Sequence, residues 1–367
     1  MEISKIDKNF KDSEACPDIG KTYTLPCFPF TIHGGFYDKT DGFISMPTEV
    51  AANISEKVVW GSHCSSGIRL TFSTNSTKLT LKVENPLPIF MKNMAFSSNS
   101  GFSLEEKVGG RHKFVGMVTP PVEQDESDRV DLLRNYSMTF NLEGGKMRNY
   151  ILYFPLYSAV KRLEITVDEE AEIKEFFGYK KDVLPIMYYG SSITQGASAS
   201  RSDSTYQCMV SEKLNIDFIN HGFSGNAFAE TEMAEYLANN ACSAFVCDYD
   251  HNAPSVEYLK NTHERLFKIF RAKQKDTSVI FLTKPDKHEK NGIDEERNAR
   301  AEVIRATYEN ALKNGDKNVY FIDCRDVFPK DAVEYVTIDG VHPNDLGMYY
   351  MAKALIKVFK DIKLRKY

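Results

Sequence analysis

Two adjacent serines, Ser191 and Ser192, follow the apolar run from Leu184 to Tyr189 and the break at Gly190. A hydroxyl fixed on a strand-to-helix turn stands clear of the backbone and becomes a nucleophile once a base takes its proton. The same pair also reads as a plain cap on the next helix, so this stretch alone leaves both open. Acyl transfer needs three more things: a base, a group to orient it, and donors for the oxyanion. His342 is the candidate base, and Asp339 lies three residues earlier, where a turn brings its carboxylate to the imidazole Nδ1–H. Gly225 offers a backbone N–H with no Cβ in the way, Asn252 a neutral amide, and the nucleophile its own N–H. The run 339–344 also reads as a bare turn with Asn344 capping the last helix; the other blocks, in order, favour chemistry.

These residues need a scaffold that gathers them. After Lys180 strands alternate with helices: strands at 184–189, 216–221, 244–247, 278–283 and 319–322, helices near 204–214, 230–240, 255–273, 295–314 and 344–361. That alternation makes right-handed βαβ units, an α/β domain with a flavodoxin-like three-layer parallel sheet. Such sheets bind ligands at the carboxyl ends of their strands. Here those ends carry 190–192, 220–226 and 248–252. The run 339–344 falls just before the last helix.

The chain before this follows another rule. Short alternating runs at 68–74, 78–83, 150–157 and 162–167 are separated by turn pairs such as Gly34-Gly35, Gly109-Gly110 and Pro120-Pro121. With no helical period, they predict an all-β sandwich, jelly-roll-like. The expected division is a sandwich at 1–175 and an α/β domain at 176–367, with the charged stretch 125–131 as a surface loop.

At 367 residues two domains are the expectation. The net charge of −5 gives no basic field, so nucleic acid is not an expected partner. The basic end 363–366 reads as a solvated tail. No run approaches the roughly 18 apolar residues of a membrane span. Residues 1–8 contain no apolar core of a secretion signal. Cys16, Cys27, Cys64, Cys208, Cys242, Cys247 and Cys324 are odd in number and widely spaced, which reads as free thiols in a reducing cytoplasm.

Gly190-Ser191-Ser192-Ile193-Thr194, Gly225, Asn252 and Asp339-x-x-His342, in this order, resemble the four blocks of the SGNH hydrolases, the GDSL-like esterases and lipases. The tracts beginning at Trp60 and Phe72 resemble the sandwich of a two-domain subgroup, and 192–201 its catalytic turn. The resemblance implies Ser192 as nucleophile, Ser192, Gly225 and Asn252 as oxyanion donors, and Asp339 and His342 completing a triad without metal or cofactor. Ser191 stands where most members have Asp, and Ala253 where an Asp usually follows the Asn. The choice between the two serines and the hydrogen bonding around Asn252 therefore depart from the pattern.

Other residues carry two readings. Asp248, Asp250 and His251 suggest a metal, but the segment offers too few ligands; His251 is expected instead to hold Asn252 by a hydrogen bond. Arg201 either anchors a substrate oxygen or is solvated. His221 and His263 read as core histidines, and Tyr249 or Phe228 as possible pocket walls. By analogy of architecture, the expected substrate is a small acyl group, acetyl first, on an oligosaccharide or related small-molecule ester. An acyltransferase using the same residues and an inactive carbohydrate-binding protein are the alternatives, and the oligomeric state is left open.

Overall fold

A computed structural model of the chain describes residues 20–86, 89, 91–121, 134–285, 295–362 and 364–367. Strands Ile186–Gly190, Phe218–Gly222, Ala244–Asp248, Ser278–Leu282 and Val319–Ile322 form one sheet, parallel throughout, ordered second, first, third, fourth, fifth. This is the flavodoxin-like order, with its switch point at the first strand. The strands are apolar on both faces because both are covered. Met187, Tyr189, Phe245 and Phe281 pack on one side with Leu237 of helix Thr231–Asn239 and with Leu266 and Phe270 of helix Val256–Lys273. Ile186, Tyr188, Val246 and Ile280 pack on the other with Val210 of helix Tyr206–Leu214 and Leu355 of helix Asp345–Phe359. Side-chain oxygens start three of these helices: Thr205 accepts the Cys208 N–H, Ser255 that of Tyr258, and Asn344 those of Leu346 and Gly347.

The preceding region is an antiparallel sandwich. Lys21–Thr24, Arg162–Val167, Lys78–Glu84 and Asn135–Asn141 form one sheet. Ile173–Lys174, Arg69–Thr74, Arg148–Tyr153, Phe102–Val108 and Arg111–Val118 form the other, with Thr31–His33 added beside Arg69–Thr74. Leu79, Leu81 and Ile165 of the first sheet share a core with Leu70, Phe72 and Leu152 of the second.

Short helices interrupt this β-rich region. Thr48–Ala52 and Glu56–His63 are helical, the second started by Ser55, which accepts the Val58 N–H. Their apolar residues answer to the other domain: Ala51 and Val58 join the core on one face of the parallel sheet. A pattern written for a distant partner leaves no local period to read. The two regions also share a polar joint. Arg69 is fully buried; its guanidinium donates to the Tyr179 hydroxyl at 2.8 Å and to the Asp217 carboxylate, over the Phe218 ring at 3.8 Å. His33 Nδ1 meets the same carboxylate at 2.9 Å.

The C-terminal end is exposed but tethered: Arg365 donates to Gln274 Oε1 at 2.6 Å, and Lys366 pairs with Asp182 on the surface. Lys363 and the expected loop at 125–131 lie outside the described residues. Among the described residues no helix is long and apolar enough to cross a membrane.

Candidate active site

The first strand ends at Gly190, and the chain turns at once into the short helix Ser192–Gln195, which stops at Gly196 in a left-handed conformation. This turn is wedged between neighbours. A Cβ on Gly190 would lie 2.1 Å from Thr194 Oγ1, and one on Gly222 2.2 Å from the Gln195 nitrogen. Only glycines let the adjacent strands close around the helix.

The two serines have different partners. Ser191 is buried and caps the short helix, its Oγ accepting the Ile193 N–H at 3.2 Å. Ser192 is partly exposed, and its Oγ lies 2.9 Å from His342 Nε2. On the far side of that ring, Nδ1 is 2.7 Å from Asp339 Oδ2. An ionised carboxylate only accepts, so Nδ1 carries the proton and Nε2 is left to accept from Ser192. Asp339 Oδ1 also accepts the N–H groups of Val341 and His342 at 3.1 and 2.8 Å. Partial burial works to raise the Asp339 carboxyl, but these bonds outweigh it and hold it well below the ordinary carboxylate range.

Gly225 and Asn252 lie beyond the ends of the second and third strands, the two that flank the Ser192 strand. Gly225 sits at φ +68°, a backbone shape that disfavours any side chain. The Ser224 N–H before it donates to Gln195 Oε1 at 2.9 Å, tying this loop to the Ser192 turn. Asn252 Oδ1 accepts the Ala227 N–H at 3.1 Å, which orients the amide and leaves Nδ2 without a partner among the described residues. The Ser192 N–H opens its helix, where backbone donors have no intrahelical acceptor.

His251 therefore does not hold Asn252. Arg300 does that work on the backbone, donating to the carbonyls of Asp250 and Ala253 at 3.0 and 2.9 Å. Burial pushes His251 well below its ordinary range, helped by the charges of Lys284, His342, Arg300 and Arg297. Asp250 is committed to Arg300 and the Lys284 N–H. Among the described residues no cluster of three His, Cys, Asp or Glu could hold a metal. Arg201 is engaged by Asp203 at 3.0 Å and stacks over Phe114 at 4.2 Å. Tyr249 is buried and hydrogen-bonded to Thr262, while His221 and His263 are core residues.

Sequence reasoning does not single out Arg300, Asn93 or Tyr157. The Tyr157 hydroxyl lies 3.5 Å from the Ser192 carbonyl, and Asn93 Nδ2 lies 3.3 Å from Asp339 Oδ2. Both come from the sandwich half, and no spacing links them to the site; Arg300's only clue is the buried acid it partners.

Residues 183–360 match the GDSL-like Lipase/Acylhydrolase family, and residues 23–173 match the N-terminus of the SGNH hydrolase-type esterases. The chain's α/β domain belongs to the GDSL-like lipase/acylhydrolase family. The chain is an SGNH-type carboxylic ester hydrolase with an N-terminal β-rich domain. A Bacteroides ovatus structure described as a GDSL-like lipase is 28% identical, with TM-score 0.81, covering 94% of this chain and 99% of its own. The salicylyl-acyltransferase SsfX3 of a tetracycline biosynthetic pathway is 14% identical, with TM-score 0.74 and coverage of 95% and 100%. An acetyl xylan esterase of Butyrivibrio proteoclasticus is 13% identical, with TM-score 0.57 and coverage of 93% and 98%. No curated protein matches the chain.

Proposed function

We propose that this GDSL-like hydrolase is a serine esterase that removes small acyl groups, acetyl foremost, from a carbohydrate or related small-molecule ester. The observation that carries the reading is the unbroken run from Ser192 Oγ through the His342 ring to Asp339, at 2.9 and 2.7 Å. In the first step His342 Nε2 takes the Ser192 proton as Oγ adds to the ester carbonyl. The oxyanion is held by the N–H groups of Ser192 and Gly225 and the Asn252 amide. Collapse breaks the ester C–O bond, and the alcohol leaves with the proton from Nε2. Water then adds to the acyl-serine by the same proton path, releasing the carboxylic acid and restoring the hydroxyl.

Acetyl and carbohydrate are supported by the acetyl xylan esterase, which shares this two-domain architecture across most of both chains. The unpaired thiols of Cys27, Cys64, Cys208, Cys242, Cys247 and Cys324 support a reducing cytoplasm as the place of action. The likeness to a salicylyl-acyltransferase favours a second reading, in which a bound alcohol replaces water in the second step. An inactive carbohydrate-binding protein is the remaining alternative.

The test is a panel of p-nitrophenyl esters from acetate to palmitate, run on wild type and Ser192→Ala together. Acetate preference lost in the variant is the expected result; a long-chain preference moves the reading to a lipase, and an active variant removes Ser192 from its role. Ester products formed with added alcohols would mark the acyltransferase. Failure of a fluorophosphonate to label Ser192 would mark the inactive protein.

A further inference from the structure

Asp339 is held by four donors. Three belong to its own turn: the N–H groups of Val341 and His342 and the His342 ring. The fourth is Asn93 Nδ2, at 3.3 Å from Oδ2, and it comes from a segment 246 residues earlier. Oδ2 is the oxygen that also faces His342 Nδ1. Among the described residues, Asn93 supplies the one side-chain hydrogen bond to Asp339 from outside that turn.

Asn93 is itself anchored to the nucleophile side. Its carbonyl accepts the Ser198 hydroxyl at 2.9 Å, three residues past the Ser192–Gln195 helix. The attachment continues along both strands of contact. Ser97 Oγ donates to the Ser200 carbonyl at 2.5 Å, and the Ser200 N–H donates to Asp345 Oδ1 at 2.7 Å, in the first turn of the helix that follows His342. The segment 93–101 therefore touches the loop after the nucleophile and, directly and through Ser200, the loop that carries the base. An acid held only by its own exposed turn is free to swing with it. A carboxylate with a second, independent anchor keeps the imidazole in register with Ser192.

We propose that Asn93 is a positioning residue for the acid–base pair: the N-terminal domain completes the active site by donating a hydrogen bond to Asp339 and fixing the His342 turn against the nucleophile loop. The inference rests on the proposed roles of Ser192, His342 and Asp339. Its cause is the amide donor, not the volume of the side chain. Asn93→Asp keeps the shape, removes the donor and sets a second carboxylate beside Asp339, so it must hurt more than Asn93→Ala.

The experiment compares full-length wild type, Asn93→Ala, Asn93→Asp and Ser192→Ala with p-nitrophenyl acetate, and follows fluorophosphonate labelling and thermal unfolding. Asn93→Ala is expected to lower kcat and the labelling rate about 3- to 10-fold with KM unchanged, and Asn93→Asp to lower them further, on the order of 30-fold, while all four unfold together. Equal activity in Asn93→Asp and wild type overturns the inference, as does a loss confined to KM or one that tracks a fall in unfolding temperature. A Ser192→Ala enzyme that still turns over overturns the catalytic reading itself. A dead Ser192→Ala with an unaffected Asn93→Asp overturns only the role of Asn93.

Discussion

The Asp248 carboxyl accepts the Thr194 hydroxyl at 3.1 Å, so a fully buried acid lies beneath the turn that carries Ser192. Its Oδ2 also accepts from Tyr206 at 3.2 Å, while Oδ1 has no partner among the described residues. Burial pushes this carboxyl up to about 7; the two hydroxyls work against that and the charge of Asp250 adds to it. An unfolded chain releases that proton near pH ~4, whereas the folded one keeps it until about 7. Between the two the native state binds the extra proton, and stability falls as pH rises. Asp248→Asn carries no such proton. Its unfolding free energy should lose less than that of wild type between about pH 4 and about pH 8, by up to roughly 4 kcal/mol if the whole shift is expressed. Denaturant titrations at both ends check this; parallel losses in the two proteins would place the cost elsewhere.

Ser191 and Ser192 should separate cleanly. Ser192→Ala removes the hydroxyl facing His342, and turnover should fall to the residual left by binding and the oxyanion donors. Ser191→Ala removes a helix cap, expected to cost about 1 kcal/mol of stability. Its kcat should stay within about tenfold of wild type, a small loss beside that of the nucleophile. Thermal melts and ester hydrolysis on the two single variants decide it, and the reverse ranking would exchange the roles.

The proposed oxyanion donors make a graded prediction. Asn252 Oδ1 is committed to Ala227, so the amide can only present its N–H₂ to the substrate. Asn252→Ala should therefore lower kcat by roughly 10²–10³ with little change in KM, the pattern of an interaction made in the transition state. Asn252→Asp should do at least as much harm, because a carboxylate offers no donor and repels the developing charge. Steady-state kinetics on both variants, with circular dichroism as the control for folding, would check this; a change in KM alone counts against the role.

Much of this site can be read from the chain because three of its four blocks follow successive strand ends and the fourth directly precedes the last helix, so residue type and local order coincide. The alternation of Met187 and Tyr189 with Ile186 and Tyr188 writes both faces of the sheet into one short run. The helix Glu56–His63 is not legible in the same way, since Val58 packs into a core built mainly by residues more than 100 positions later. Asn93 and Tyr157 are hidden for the same reason: they reach Asp339 and Ser192 through domain docking, which leaves no period and no spacing. His251 misleads for a different one. It is next to Asn252 in sequence, but the backbone turn points the Asn252 oxygen at Ala227 instead.

Docking itself can be tested at Arg69. The Asp217 carboxyl is nearly buried, which by itself would raise it, yet the charges of Arg69 and His33 and the hydrogen bonds they make hold it below its ordinary value. The stabilisation from that shift is present above the unfolded carboxylate range and is lost as pH falls through the lower folded one. Arg69→Ala opens a cavity and strips Asp217 of its main partner, an expected loss of about 3–5 kcal/mol. Arg69→Met fills most of the volume but leaves the carboxylate short of a partner, so it should recover only part. Arg69→Met combined with Asp217→Asn removes the stranded charge and should recover more than Arg69→Met alone. Urea unfolding of the four proteins separates volume from charge. If the double variant were no more stable than Arg69→Met, the joint would be held by packing over Phe218 and Tyr179, with the ion pair incidental.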